Sequence, residues 1–250
     1  GGSEMYGVVV DGSHLSSDMK IDIFADSAES DSGRNNIGIK LVDDSSLSAE
    51  HITLDGMGGV VQQGGKILDG VSIEQTKLTA NNKLKILGYA GSGSNISRSN
   101  GISLNKGSDL KAASIVLRGY GRHDQASTDQ AADQMVITTD QTNQNSKNHG
   151  VFIKSASIRS ENDLRIEGFA GSGQELLDGV HIKKSHLVAD DGMTIRGHGS
   201  YDVNGTIKFS DGIYSFDSTF ASSFSLELFY CIFWYIFRYY YKYEQYFRNY

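Results

Sequence analysis

Acidic side chains are the first candidates for chemistry in this sequence. Two pairs of adjacent aspartates occur, Asp43–Asp44 and Asp190–Asp191, and Glu4 and Asp69 lie near expected turns. A polysaccharide hydrolase or lyase needs carboxylates, or carboxylates with Arg or Lys, gathered in one groove. The two pairs fall at different corners of the repeat described below and are several repeats apart. We therefore predict solvated turn residues, no catalytic residue and no enzymatic activity.

Histidines and glycine-rich loops are the next candidates. His181 is expected to point outward from a strand, with His186 at the following corner, and neither has a Cys or carboxylate at ligand spacing. The segments GYAGSG (Gly88–Gly93) and GFAGSG (Gly168–Gly173) look like phosphate-binding loops, but a strand rather than a helix follows each. The sequence predicts structural turns, no cofactor and no metal site.

The composition of the chain limits the classes of binding partner and excludes a disulfide. The net charge of -7 argues against nucleic acid as the main partner and against a polybasic membrane patch. The single cysteine, Cys231, excludes an intramolecular disulfide. The chain shows no signal-peptide pattern and does not begin with Met, so we expect an internal or processed piece of a longer protein.

The elements that position these residues follow from an internal repeat of about 31 residues. Each pass begins at a glycine; these anchors are Gly7, Gly38, Gly70, Gly101, Gly150, Gly179 and Gly212. The residues one, three, fourteen and sixteen places after each anchor are apolar, with Ser215 as the one exception. A further apolar residue lies between these pairs. Alternation with period two predicts three short strands in each pass.

Such a unit cannot bury its apolar stripe alone, but stacked passes give every inward side chain a neighbour above and below. The sequence therefore predicts an all-β fold, a parallel β-helix (solenoid) of seven coils over residues 1–228. A helical solenoid is excluded, because each interior glycine would cost a helix about 1 kcal/mol. The preference of parallel crossovers favours a right-handed coil.

The repeat is interrupted twice. Residues 123–149 form a polar insertion, which is either a recognition loop or an ordinary tolerated insertion. Residues 229–250 are an aromatic-rich tail without the repeat, too short in its apolar run for a membrane span of ~20 residues. We expect that the reading frame is lost near residue 229. The alternative is a capping or membrane-facing segment.

One outward column is a candidate binding surface. Phe152, His181 and Tyr214 occupy the same position in three successive coils, between the first pair of inward residues. An exposed strip of aromatic rings can bind sugar rings or a protein partner. Alternatively, the insertion before Gly150 covers this strip.

The repeat unit itself resembles a known family. The pattern G-V-x-I-x-x-S-x-L-x-A-x-x-x-L-x-I-x-G-x-[AG]-G, seen in Gly70–Gly91, Gly150–Gly171 and Gly179–Gly199, is similar to repeats of large secreted β-helix adhesins of the filamentous haemagglutinin type. The similarity extends from Gly7 to about Leu228.

This resemblance implies a non-enzymatic shaft secreted to the cell surface of a Gram-negative bacterium by two-partner secretion. The implied partners are an outer-membrane transporter and a host or neighbouring-cell surface protein or glycan. A carbohydrate-active β-helix enzyme and a binding module centred on the insertion are the alternatives.

Overall fold

The computed structural model describes residues 4–30, 34–61, 65–93, 96–121, 147–171, 176–199, 211–223, 225–232 and 235–241. Within these ranges all regular structure is β, and parallel strands stack into about 6 turns with a spacing of about 32 residues. The predicted all-β solenoid is therefore confirmed. The strands of the first three coils and their connections are β1 (Glu4–Asp11), β2 (His14–Ser16), β3 (Lys20–Asp26), β4 (Asn35–Val42), β5 (Ser46–Met57), β6 (Val60–Val61), β7 (Val71–Glu74), β8 (Lys77–Tyr89) and β9 (Ser92–Gly93).

The remaining strands continue the same order. They are β10 (Ile102–Asn105), β11 (Asp109–Tyr120), β12 (Val151–Lys154), β13 (Ser157–Ser160), β14 (Leu164–Phe169), β15 (Val180–Lys183), β16 (His186–Ala189), β17 (Gly192–His198), β18 (Ile213–Phe216), β19 (Thr219–Ser222), β20 (Ser225–Ile232) and β21 (Tyr235–Tyr241).

The strand that follows each anchor glycine belongs to one seven-stranded parallel sheet, in the order β1-β4-β7-β10-β12-β15-β18. Its register aligns the residues one place after the anchors: Val8, Ile39, Val71, Ile102, Val151, Val180 and Ile213. Each coil therefore pairs with the next at the predicted position. The alignment holds even across the long insertion, since Ile102 pairs with Val151.

The second and third strands of the coils, together with β21 of the tail, form a twelve-stranded sheet. In coils two to four they run together as the long strands β5, β8 and β11, whereas in the other coils they are separate. The pairing of β8 with both neighbours shifts register at this corner, because Ala80 and Lys83 are three residues apart where Ala49 and His51 are two apart. The extra residue is accommodated as a bulge.

The core is a single column of apolar side chains between the sheets. The inward residues of the middle coils, such as Ile39, Leu54 and Ile86, are fully buried. Those of the first coil, such as Ile21 and Ile23, are only partly buried, because among the described residues a strand pairs with them on one side only. A second, small apolar cluster of Val61, Leu68 and Ile96 lies apart from this core; the repeat did not predict it.

One corner of every coil has a left-handed backbone. The residue five places after each anchor has φ between 49° and 55° in all seven coils; these residues are Gly12, Asp43, Gln75, Lys106, Ser155, Lys184 and Asp217. Asp43–Asp44 form this corner in coil two and are exposed, while Asp190–Asp191 lie in a different corner, between β16 and β17. The prediction that the two aspartate pairs are separate turn residues is confirmed.

The two interruptions differ in what the structure describes. Most of the 123–149 insertion, residues 123–146, lies outside the described residues. In the 229–250 tail, β20 continues the third-strand column to Ile232, and β21 pairs with it in antiparallel orientation. This pairing favours the capping alternative, because β21 occupies an edge that would otherwise be open. The loss of reading frame stays a prediction.

Candidate functional site

A column of stacked rings lies on the outer face of the third strand. Tyr89, Tyr120, Phe169 and His198 each follow a glycine of the repeat and are aligned by the strand register. Their ring centroids are separated by 4.9, 4.9 and 4.4 Å, and neighbouring planes differ by 2° to 6°. Because the rings lie face to face along the rod, mainly their edges are available to a ligand.

Beside these rings is an ion cluster on the same outer face. Glu167 of β14, whose side chain is only 6% exposed, accepts hydrogen bonds from Arg118 Nε at 2.7 Å and from Arg165. The guanidinium of Arg196 lies 3.5 Å from the same carboxylate. The three arginine side chains are 33%, 43% and 42% exposed. They come from coils four, five and six, so the cluster joins three coils.

The hydrogen bonds between Glu167 and its arginine partners shift the pKa values of this cluster. Burial works against the charged form of Glu167, but the hydrogen bonds from Arg165 and Arg118 outweigh it and lower its pKa. Burial also opposes the charge of Arg118, but its bond to Glu167 outweighs that and raises its pKa. Among the described residues, Arg118 and Arg165 share the single carboxylate of Glu167, and both guanidinium groups are partly exposed. The arginine face, defined as Arg118, Arg165 and Arg196, is thus suited to an anion.

The lowered pKa of Glu167 predicts acid sensitivity. Its stabilising contribution is complete above its ordinary pKa of 4.5 and is lost as the pH falls through the lower value of the folded state. We expect the stability difference between the unaltered protein and Glu167→Gln to shrink as the pH falls below 4.5, measured by urea unfolding from pH 7 to pH 3. Glu161→Gln is the control, because Glu161 is exposed and lies 3.7 Å from Lys111. An equal pH dependence for both variants would contradict the ion cluster.

The same cluster is poorly suited to acid–base catalysis. Glycoside hydrolysis uses two carboxylates, one of them with a raised pKa. Here one carboxylate is held in its charged form, and Arg118, with its raised pKa, cannot serve as a base at neutral pH. The sequence analysis compared only the acidic residues near turns, so it did not consider Glu167 and its arginine partners.

The predicted column of Phe152, His181 and Tyr214 is present on the first sheet. Ring centroids are 5.2 Å apart between Phe152 and His181 and 4.6 Å apart between His181 and Tyr214. Tyr214 is 36% exposed, but His181 is only 8% exposed, so the expectation of an exposed imidazole was wrong. Neighbouring rings cover the faces of His181, which restricts stacking on a sugar. Partner binding by this column stays a prediction.

His181 also has a carboxylate partner, which the sequence analysis did not expect. Its Nδ1 lies 2.7 Å from Asp178 Oδ2, and the Nδ1 of His149 lies 3.5 Å from the same oxygen. All three residues are buried. Burial and the nearby His181 lower the pKa of His149 to about 3, so its imidazole is neutral. Burial and the charge of Asp178 raise the pKa of Asp211 in the next coil.

These residues also belong to a hydrogen-bonded ladder just before the anchors. The side chain of one coil accepts a bond from the backbone N–H at the same place in the next coil. Asp69 Oδ1 accepts from Asn100, Asn100 Oδ1 from His149, His149 Nδ1 from Asp178, and Asp178 Oδ1 from Asp211, at 2.9 to 3.3 Å. The ladder stabilises the corner, because it satisfies backbone donors that the strands leave unpaired. Asp69 is thus buried, and Arg98 lies 2.5 Å from it.

Both features had signals in the sequence that went unused. The pairs Gly-Tyr, Gly-Tyr, Gly-Phe and Gly-His mark the ring column, beginning at Gly88, Gly119, Gly168 and Gly197. Asp, Asn, His, Asp and Asp directly precede the anchors Gly70, Gly101, Gly150, Gly179 and Gly212. Both columns appear once the coils are aligned and the positions outside the apolar core pattern are compared.

Comparisons with known proteins give no family assignment. No protein-family model matches the chain, no curated protein matches it and no solved structure matches it. In the part of the chain that the structure describes, no helix has the length and apolar character needed to cross a lipid bilayer.

Proposed function

We propose that this chain is a non-enzymatic shaft segment of a secreted or cell-surface adhesin, and that its arginine face binds an acidic glycan of a host or neighbouring cell. The shaft role rests on the unbroken parallel stacking of the first sheet through seven strands. Such a rod holds its surfaces in a fixed order along one axis. The resemblance of the repeat to filamentous haemagglutinin-type adhesins supports this role and adds export by an outer-membrane partner transporter in a Gram-negative bacterium.

The single observation that carries the binding role is that Arg118 and Arg165 share the one carboxylate of Glu167 while both guanidinium groups stay partly exposed. Arg165 and Arg196 are each more than two-fifths exposed, and Glu167 holds their guanidinium groups in place. Planar guanidinium groups bind carboxylates and sulfates in pairs of hydrogen bonds. The edges of Phe169 and His198 border the same face. The arrangement favours an anionic polymer over a neutral sugar that requires an open ring face.

Removing the two more exposed arginines tests this proposal. We expect Arg165→Gln/Arg196→Gln to weaken binding of the full chain to immobilised heparin, a sulfated glycan probe, about tenfold or more. Each lost charge-assisted hydrogen bond to an anion is worth about 1.5–3 kcal/mol. Arg118 still pairs with Glu167, so the fold should be retained. The measurement is the dissociation constant at fixed ionic strength.

The matched control is Lys77→Gln/Lys83→Gln. It removes the same charge from two exposed side chains outside the arginine face. If both double variants lose affinity equally, binding follows overall charge and the arginine face has no special role. If neither binds less than the unaltered protein, the acidic-glycan proposal is wrong.

A carbohydrate-active enzyme is the weaker candidate. The charged cluster across coils four to six is the kind of feature such an enzyme needs, but Glu167 is its one described carboxylate and is held ionised by arginines. Glycan binding without turnover agrees with these electrostatics. Release of reducing or unsaturated ends from an acidic polysaccharide, abolished by Glu167→Gln, would favour the enzyme instead.

A further inference from the structure

We propose that His149, Asp178 and His181 form a binding site for a divalent transition-metal ion such as Zn²⁺. One ligand atom from each residue lies within 4.8 Å of the others, and all three side chains are buried. Two imidazoles and one carboxylate are a common ligand set for Zn²⁺ and similar ions. This inference is independent of the arginine face and of the adhesin role.

The spacing of the ligand atoms suits such an ion. Asp178 Oδ2 lies 2.7 Å from His181 Nδ1 and 3.5 Å from His149 Nδ1. With bonds of about 2.0–2.2 Å in a tetrahedral site, ligand atoms are separated by about 3.3 Å. Small side-chain movements therefore suffice to bring the three atoms around one ion.

Charge gives the second argument. Two other buried carboxylates of the rod are paired with guanidinium groups: Asp69 with Arg98, and Glu167 with three arginines. Asp178, whose side chain is 1% exposed, is bordered instead by two imidazoles. A buried carboxylate is costly unless a cation compensates it. A divalent ion at Oδ2 supplies that charge, while Oδ1 keeps its bond from the backbone N–H of Asp211.

The corner ladder does not explain these residue types. Asn100 fills the same place before the anchor of coil four and accepts the same kind of backbone bond from His149. Asparagine would therefore serve the ladder equally well before the anchors of coils five and six. The Nδ1 of His149 accepts a hydrogen bond from the backbone N–H of Asp178, at 3.3 Å, so it is the unprotonated nitrogen, and a metal ion bound there would replace this bond. At His181, a metal ion bound to Nδ1 would replace the hydrogen bond between that atom and Asp178 Oδ2.

The surrounding rings would enclose the ion. Phe152 stacks on His149 at 5.4 Å, and Tyr214 stacks on His181 at 4.6 Å. His149 directly precedes the anchor of coil five, while Asp178 precedes and His181 follows the anchor of coil six, so the ion would join successive coils. In sequence, His149 closes the long insertion. We therefore assign the ion a role in fixing coil six to the coil that follows the insertion.

The ladder provides variants that separate metal binding from folding. In His149→Asn and Asp178→Asn, the new side chain can still accept the backbone bond, as Asn100 does, but the ligand is removed. We expect the full chain to bind one Zn²⁺ by isothermal titration calorimetry, with a rise in melting temperature. Both variants should bind at least tenfold more weakly and melt near the unaltered protein when Zn²⁺ is absent. His186→Gln, which removes an exposed histidine, should bind like the unaltered protein.

Two results would overturn the proposal. One is the absence of Zn²⁺ binding by the unaltered protein; the other is binding that both asparagine variants retain, which would place the ion elsewhere. Should a variant fail to fold, the absorption spectrum of Co²⁺ bound to the unaltered protein decides. Intense visible bands of a four-coordinate nitrogen and oxygen site support the assignment, and the weak spectrum of hydrated Co²⁺ rejects it.

Discussion

Replacing Ile86 by aspartate is expected to unfold the third coil together with its neighbours. Ile86 is fully buried and is aligned with Leu54 in the coil before it and Leu117 in the coil after it. The substitution removes apolar contacts in both directions and places a carboxylate among aliphatic side chains without a cation. Either effect alone costs about 2–5 kcal/mol. The loss should appear as a large fall in melting temperature by circular dichroism.

Because the coils are stacked, the part of the rod that the Ile86→Asp substitution destabilises can also be measured. Each coil contacts only its neighbours, so damage at Ile86 should spread outward by coils and leave the far end of the rod protected longest. Hydrogen exchange should show early loss of protection in β5, β8 and β11, and later loss in β15 and β17. Lys83→Asp, at an exposed position of the same strand, should change stability by less than about 0.5 kcal/mol. Equal melting of Ile86→Asp and the unaltered protein would contradict the inward assignment.

The inward half of this fold was predictable from the sequence for a simple reason. An inward position must be apolar in every coil, because its neighbours above and below are apolar too. The repetition of that requirement makes the pattern visible without any knowledge of the fold. Ser215, the one exception, is also explained, since it is exposed in the last coil of the first sheet.

The left-handed corners were less predictable, because such a position requires a positive φ and places no requirement on the polarity of the side chain. A left-handed φ is easiest for glycine, yet Gln75, Lys106 and Lys184 adopt it as readily as Gly12. Long polar side chains give no signal for this conformation. The neighbouring strands hold them in it, so the conformation is imposed by the stacking of coils rather than by local preference.

The sequence analysis also missed that His149, Asp178 and His181 lie together. His149 and Asp178 are far apart in sequence, and they meet because they occupy the same place in adjacent coils. Spacing rules for metal ligands within one strand or loop cannot detect such a pair. Aligning the coils by their anchor glycines places His149 directly before Asp178 in one column, and His181 then follows three residues along the coil. Metal-ligand searches in solenoids should therefore be made on aligned coils.

A glycine lies eighteen places after five of the seven anchors. One of these glycines leads to the second large effect, since Gly168→Ala should strongly destabilise the rod. A Cβ added at Gly168 would overlap the carbonyl oxygen and carbon of Gly179, and would lie 2.8 Å from Val180 Cγ2. The obstacle is mainly backbone, which cannot move aside without separating β14 from the first strand of the next coil. Overpacking a core typically costs about 1–3 kcal/mol, and a clash with backbone belongs at or above the upper end.

Gly192→Ala is the matched control for this substitution. Both glycines lie in third strands of adjacent coils, but a Cβ at Gly192 would meet only side-chain atoms, Asp163 Oδ1 at 3.0 Å and Ser225 Oγ at 3.3 Å. Those groups can rotate away, so we expect a change below about 1 kcal/mol, read from urea unfolding of both variants. The comparison separates the general effect of replacing a strand glycine by alanine from the steric clash between the new Cβ and the backbone of the next coil. If the two variants are equally stable, the close approach of the coils at Gly168 is not the reason that this position of the repeat is glycine.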